Sequence, residues 1–414
     1  MLVELPLFTE RLIATPGALP SRSTRRLLRT QAPLVGLALT ALALARPPAG
    51  WSKTFEDNFG TKTKGLGTAL ARSKGSALPV ISASPGIVYR FNIEMGVPQR
   101  ETEIGGQLFL ERPETVGRHR WNLSLNYQRV KIETLNGEDI GQLRDPIPIV
   151  QRGRRPTLTI PLFGIDLDTH EFTASATLGV TDDLDLNITV PVLYSDFGLV
   201  TKFRTNNEKP MTPAGFPVRS NALGVGDVFV RGKYRFLDAD WARLALGAVL
   251  RVPSGNEQNF QGTGAVELAP MLYASSRPIH VGPLVHLETY LNAGFDLNAD
   301  DVDRSEPRWG VGLDCGITER LTVAVAVLGR HPLRPIERPG FFDVARRDTA
   351  TGRTFFAPLF GIRDRRPDFY DLSIGGRVNL WRDTLIGFVN AIVPLNADGF
   401  RAEAIPLAGV EATF

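Results

Sequence analysis

Cysteine is almost absent from this chain: Cys315 is the only one in 414 residues. A single thiol excludes an internal disulfide framework. Because it alternates with Leu313 and Ile317 on an apolar row, Cys315 reads as a small hydrophobe rather than a reactive group. Histidine is scarce too, at His119, His170, His280, His286 and His331, and no set of residues has metal-ligand spacing, so neither a metal nor another cofactor is expected. Charge of one sign is also lacking, with 47 basic residues against 44 acidic and a net charge of +3, which excludes a nucleic-acid footprint. Long hydrophobic runs are missing as well: nothing reaches the roughly 18 to 20 apolar residues of a membrane-spanning helix.

The longest apolar run is "APLVGLALTALALA", residues 32–45. It follows "STRRLLRT" and ends in Ala43-Leu44-Ala45, the order of charged region, apolar region and small-residue cleavage site. Residues 1–45 are therefore expected to be a secretory signal with a long charged region containing Arg11, Arg22, Arg25, Arg26 and Arg29, and translation starting within residues 2–23 stays open. "TRRLLR" is similar to a twin-arginine signal, but that route carries folded cargo, which favours the general secretory route for a chain that must cross unfolded. Residues 46–118 carry no strong period and read as a periplasmic or lumen-associated segment, with a short helix at 68–72.

What the chain has in abundance is period-two alternation. In "ATLGVTDDLDLNITVPVLY", residues 176–194, Leu184, Leu186, Ile188, Val190, Val192 and Tyr194 alternate with Asp185, Asn187 and Thr189. That is a strand with unlike faces. At roughly 3.3 Å per residue it is about 36 Å long, far beyond the usual strand of about five or six residues. In "RWNLSLNYQRV" Trp121, Leu123, Leu125 and Tyr127 alternate with Asn122, Ser124, Asn126 and Gln128. "GDVFVRGKYRF" sets Val228, Val230, Tyr234 and Phe236 opposite Asp227, Arg231, Lys233 and Arg235, a face no soluble core accepts. Such rows continue to Val410, Ala412 and Phe414.

The connections carry an independent pattern. Tight turns at 181–183, 237–240, 277–279, 318–320 and 381–383 alternate with long links at 132–163, 197–221, 254–264, 297–306, 331–367 and 396–402. Short periplasmic turns alternating with long extracellular loops define an outer-membrane barrel. Residues 119–414 are thus expected to form an all-β, transmembrane, antiparallel up-and-down β-barrel of about 12 strands, or 14 if residues 86–94 and 104–111 join the wall. Lipid offers no hydrogen-bond partner, so the sheet must close on itself. The apolar row faces lipid and the polar row a wet lumen, so arginine at Val190 or Leu246 should be costly and arginine at Asn187 tolerated. Phe414 reads as the last-strand signal recognised by the barrel-assembly machinery.

Five segments carry a family resemblance: "ERPETVGRHRWNLSLNYQRV" (111–130), "LGVTDDLDLNITVPV" (178–192), "GVGDVFVRGKYRF" (224–236), "RVPSGNEQNFQGTG" (251–264) and "CGITERLTVAVAVLGR" (315–330). From about residue 79 onward the chain resembles the outer-membrane transporters of the MetA-pathway of phenol degradation family. The resemblance implies a single barrel in the outer membrane of a Gram-negative-type bacterium, associated with uptake of aromatic or hydrophobic compounds, and brings no catalytic residues. Passive transport of small molecules is the expected function, the alternative being a structural or adhesive barrel acting through its extracellular loops; an enzyme is not expected.

Candidate lumen residues are Arg231, Lys233, Arg235, Arg243, Arg251, Asp227, His286 and Glu288. They make either a structural lattice with Asp185, Asp314 and Glu411 or a positively lined constriction favouring anions, and both can hold together. His286 with Glu288 is the nearest approach to a catalytic pair, although residues two apart on one strand face commonly pair structurally. The glycines of "GVGDVFVRG" relieve crowding in a curved strand, and "DLNADDVDRSE", residues 296–306, lacks the glycine of a calcium loop. The link at 331–367 holds Phe341, Phe342, Phe355 and Phe356 with Arg346 and Arg347. Five phenylalanines, Phe360 included, need burial, so this link is expected to fold into the barrel mouth as a gate, its arginines meeting lipopolysaccharide phosphates. The expected partners are thus outer-membrane lipid and lipopolysaccharide, the assembly machinery and a small-molecule solute.

Overall fold

The computed structural model describes residues 54–55, 82–84, 86, 89–92, 97–100, 109–144, 147–149, 157–205, 218–281, 285–333, 336–347, 352–381 and 384–414. The expected signal segment and the helix at 68–72 lie outside the described residues. No described helix is long and apolar enough to cross a membrane.

The wall is made of β1 (Trp121–Ile132), β2 (Thr157–Gly179), β3 (Leu184–Thr205), β4 (Val228–Asp238), β5 (Ala242–Val252), β6 (Glu267–Ser276), β7 (Val285–Asn298), β8 (Glu306–Gly316), β9 (Leu321–Arg330), β10 (Phe369–Trp381), β11 (Leu385–Pro394) and β12 (Ile405–Thr413). Each pairs antiparallel with the next, and β12 returns to β1 with Val410 opposite Leu125, so 12 strands close the barrel. The last residue completes the seam: Trp121 N–H donates to Phe414 O at 2.8 Å and Phe414 N–H to Trp121 O at 2.9 Å. Tyr89–Asn92 and Val97–Arg100 pair only with each other, which sets aside the 14-strand alternative as far as these residues go.

The faces fall as the alternation requires. Leu186, Ile188, Val230, Tyr234, Leu246 and Val410 are exposed, whereas Asp185, Asn187, Thr189, Arg231, Lys233 and Arg243 are buried. Cys315 is half-buried on the outward row. Apolar side chains outward and charges inward are stable only with lipid outside. Trp121, Tyr234, Trp241, Trp381 and Phe414 ring the short-turn end, and Tyr127, Phe172 and Tyr194 stand near the other. The eleven residues of β3 from Leu184 to Tyr194 rise about 26 Å at a tilt of about 40°, matching an apolar band of about 25 Å. Past Tyr127 and Tyr194 the outward row turns charged, at Arg129, Lys131 and Asp196.

Two links differ from expectation. β2 and β3 run 23 and 22 residues and pair out to Thr159–Thr205, and Val218–Val225 pairs along β3, so much of 132–163 and 197–221 is strand. The reason lies on the inner face: Ile165, Leu167, Leu193, Phe197 and Leu199 are buried, giving these strands a core to cover above the lipid. The link at 331–367 contains a hairpin of Ile336–Arg347 with Thr354–Arg365 that, among the described residues, pairs only with itself. Its tip residues Arg347, Arg353 and Thr354 are exposed.

Candidate functional site: a stratified, occupied lumen

The lumen is layered. Nearest the short turns, residues 110–117 lie inside the wall, with Arg112, Glu114, Thr115 and Val116 at most 2% exposed. Arg112 Nη2 meets Glu288 Oε2 at 3.3 Å, and Arg243 Nη1 bridges Glu114 Oε1 at 2.5 Å and Glu288 Oε1 at 3.4 Å. Lys233 Nζ donates to Ser84 Oγ at 2.9 Å and to the carbonyls of Arg112 at 2.9 Å and Glu114 at 2.6 Å, using all three ammonium protons. Asp185 accepts from Val116 N–H at 3.0 Å, and Glu411 from Gly86 N–H at 2.7 Å and Arg377 at 2.8 Å. Burial pushes the Glu114 carboxyl up, but Arg112 and Arg243 together hold it below the ordinary carboxylate range. These wall charges seat a segment of the same chain.

Glycine makes that seat possible. Gly117 has φ 92°, and a Cβ on Gly179 would stand 1.8 Å from Gly117 O, so the plug can turn into β1 only where β2 ends without a side chain.

The next layer is hydroxyls and amides. Arg231 Nη1 donates to Asn187 Oδ1 at 2.9 Å and Thr189 Oγ1 at 2.8 Å, while Asn187 Nδ2 donates to Ser175 and Thr177 at 2.8 and 2.9 Å. Asn187 is therefore fully used, and the expectation that arginine is tolerated there is corrected: a second guanidinium would face Arg231 in a buried site.

Toward the long loops the inner rows of β1, β2, β3, β11 and β12 turn apolar. Val130, Ile132, Ile165, Leu167, Leu199, Ile392 and Ile405 form one cluster with Leu135, Ile140 and Phe400. Phe260 enters it from the link at 254–264 and Phe55 from the segment that precedes the wall. Phe55 stacks on Phe197 at 5.1 Å, and Phe260 meets both rings edge-on at 5.6 Å. Asp227 ties that link down, accepting from Arg251 Nε at 2.8 Å, Thr263 N–H at 2.8 Å and Gly255 N–H at 3.0 Å.

Among the residues singled out from the sequence, Lys233, Arg243 and Glu288 meet at the plug. Arg235 leaves the lumen layer for the turn, pairing with Asp183 at 2.8 Å and Asp238 at 3.6 Å. Arg251 and Asp227 hold the mouth link. His286 packs edge-on against His280 with ring centroids 4.5 Å apart, while Glu288 is taken up by Arg112 and Arg243. The acidic residues of 296–306 cap turns and pair: Asp301 Oδ1 accepts from Asp303 N–H at 3.2 Å, and Asp296 pairs with Arg308 at 2.6 Å. Arg346, Phe341, Phe342, Phe355 and Phe356 lie on the separate hairpin, their side chains outside the described residues. Among the described side chains, Phe260 of the link 254–264 places a ring inside the mouth. Sequence reasoning missed Phe55, Phe197 and Phe260; the signal that could have found Phe197 was the inner row of β3 turning apolar after Thr189.

The fold and its contents define a transmembrane barrel with residues 110–117 packed inside it and an apolar cluster toward the long loops. No known family model matches the sequence, and no curated protein matches it. Among solved structures it is similar to a COG4313 outer membrane channel from Pseudomonas putida F1, at 11% identity over 73% of this chain and 98% of that one, TM-score 0.43. A Pseudomonas aeruginosa FadL homologue matches at 11% identity over 73% and 92%, TM-score 0.28, and a TodX monoaromatic hydrocarbon channel at 10% over 73% and 91%, TM-score 0.32. Likeness at this level says nothing about a solute.

Proposed function

We propose that the protein sits in the outer membrane of a Gram-negative-type bacterium and passes small apolar or aromatic solutes down their gradient, with the hairpin at 336–365 narrowing the extracellular opening and its arginines meeting lipopolysaccharide phosphates. The observation that carries this reading is the apolar lining of one side of the outer lumen. Barrel interiors are ordinarily polar, and here the inner rows of β1, β2 and β3 carry their last buried polar side chains at Gln128, Thr169 and Ser195 and continue as Val130, Leu167 and Phe197. An apolar lining at the outward end offers a dissolved hydrophobe a place to partition before the ion pairs that hold residues 110–117 are met.

Conduction then needs residues 110–117 to yield, and their anchors are ion pairs and carbonyl bonds that can re-form. The test uses N-phenyl-1-naphthylamine, an apolar dye excluded by an intact lipopolysaccharide leaflet. Cells carrying the protein folded in that membrane should take up dye several-fold faster than cells without it. Equal rates, with folding verified by heat-shifted gel mobility, overturn the reading. The self-paired hairpin supports the second reading, an adhesive barrel acting through its loops; under it, removal of the hairpin abolishes surface binding and leaves dye uptake unchanged.

A further inference from the structure

We propose that the space filled by Phe55 is a binding site for one aromatic ring of a neutral solute, which the chain's own side chain occupies until a solute displaces it. The inference rests on the reading of the barrel as a conduit for apolar solutes and adds where the solute lodges and what it exchanges with.

Phe55 belongs neither to the wall nor to a loop joining wall strands, yet its side chain is 0% exposed. Its surroundings are a box for a flat ring. Phe197 lies against one face with planes inclined 23°, and Phe260 presents an edge at 73°. Offset stacking on one side and an edge contact on the other is the arrangement aromatic quadrupoles favour, and it selects rings over chains. Aliphatic members of the cluster include Leu135, Ile140, Leu167 and Leu199.

The box is built at a conformational cost. Phe260 has φ 59°, in the left-handed region that a bulky side chain avoids. It caps the turn at Glu257–Asn259, its N–H donating to Glu257 O at 2.9 Å, and this aims its ring inward. Strain of this kind persists where the surroundings hold it and clusters at ligand sites. The same turn reaches Phe55, whose N–H donates to Asn259 Oδ1 at 3.3 Å.

Exchange is physically easy to write. A solute ring replacing the Phe55 ring makes the same contacts with Phe197 and Phe260, and an apolar site takes small aromatics rather than water. No bond is made or broken.

Thr54, half-buried beside Phe55, gives the readout. In a Cys315→Ser background, Thr54→Cys is labelled with a maleimide in the folded, detergent-purified full chain, with and without saturating toluene. The expected result is a labelling rate that toluene raises about ten-fold and an equal concentration of glucose leaves unchanged. Adding Phe55→Ala should make labelling fast and independent of toluene, and Phe197→Ala should remove the toluene response. A rate unmoved by toluene, or moved equally with Phe197→Ala, overturns the proposal. Dye uptake measured in parallel separates the two claims. Uptake without a toluene response leaves transport standing and removes this site; a toluene response without uptake leaves the site and removes transport.

Discussion

Leu246 and Asn187 are each an element of the alternation on which the reading of this chain depends, and they respond oppositely to what surrounds them. Leu246 is 54% exposed on the outward row. Arginine there should cost about 2–4 kcal/mol near the bilayer midplane, measured by reversible unfolding in lipid vesicles. Asn187 is on the inward row, where a wet lumen would have tolerated arginine; Arg231 Nη1, at 2.9 Å from its Oδ1, already takes that place. Asn187→Arg should therefore also destabilise, whereas Asn187→Asp, which adds a charge opposite to that of Arg231, should be the milder change. A milder Asn187→Arg would show that water replaces these contacts.

The plug at residues 110–117 titrates as an element. Burial pushes Glu114 up and its arginines hold it below the ordinary range. A carboxyl lowered on folding stabilises the folded state fully above its unfolded value of about 4.3 and loses that contribution as pH falls through the lower folded value. The unfolding midpoint should stay level above about pH 5 on this account and fall below about pH 4. Glu114→Gln should flatten the fall while lowering the midpoint at neutral pH, because Arg112 and Arg243 are then left with a neutral partner. A slope identical to wild type would show that the Glu114 pairs do not hold the plug.

The hairpin at 336–365 is the other element with a prediction of its own. Among the described residues it pairs only with itself, so deleting 339–362 should leave heat-shifted folding intact. If it narrows the opening, single-channel conductance rises; unchanged conductance in a folded barrel assigns it to surface binding.

At the scale of the whole molecule, closure is the property to test. Removing Phe414 deletes two backbone hydrogen bonds at the β12–β1 seam and the terminal aromatic of the outward row. The fraction of protein showing the folded, heat-shifted mobility in outer-membrane preparations should drop several-fold. Full recovery at wild-type levels would remove Phe414 from both seam and assembly signal.

The barrel itself was legible because lipid imposes a rule on every strand separately. An outward residue must be apolar and each backbone group must find a partner, so alternation, turn spacing and an even strand count could be read residue by residue. The same rule explains where that reading stopped. It ended β3 before residue 197, just past the lipid, although the strand continues to Thr205 on the strength of an inner apolar row. Which of Lys233, Arg243 and Glu288 line an open passage and which hold a plug could not be read at all. A charged inner row satisfies its hydrogen bonds equally well with water or with Arg112 and Glu114, and only the fold brings those residues back inside the wall. Phe55 is the extreme case: one apolar residue in a segment without period becomes a fully buried ring because Phe197 and Phe260, far off in the chain, leave a space of its shape.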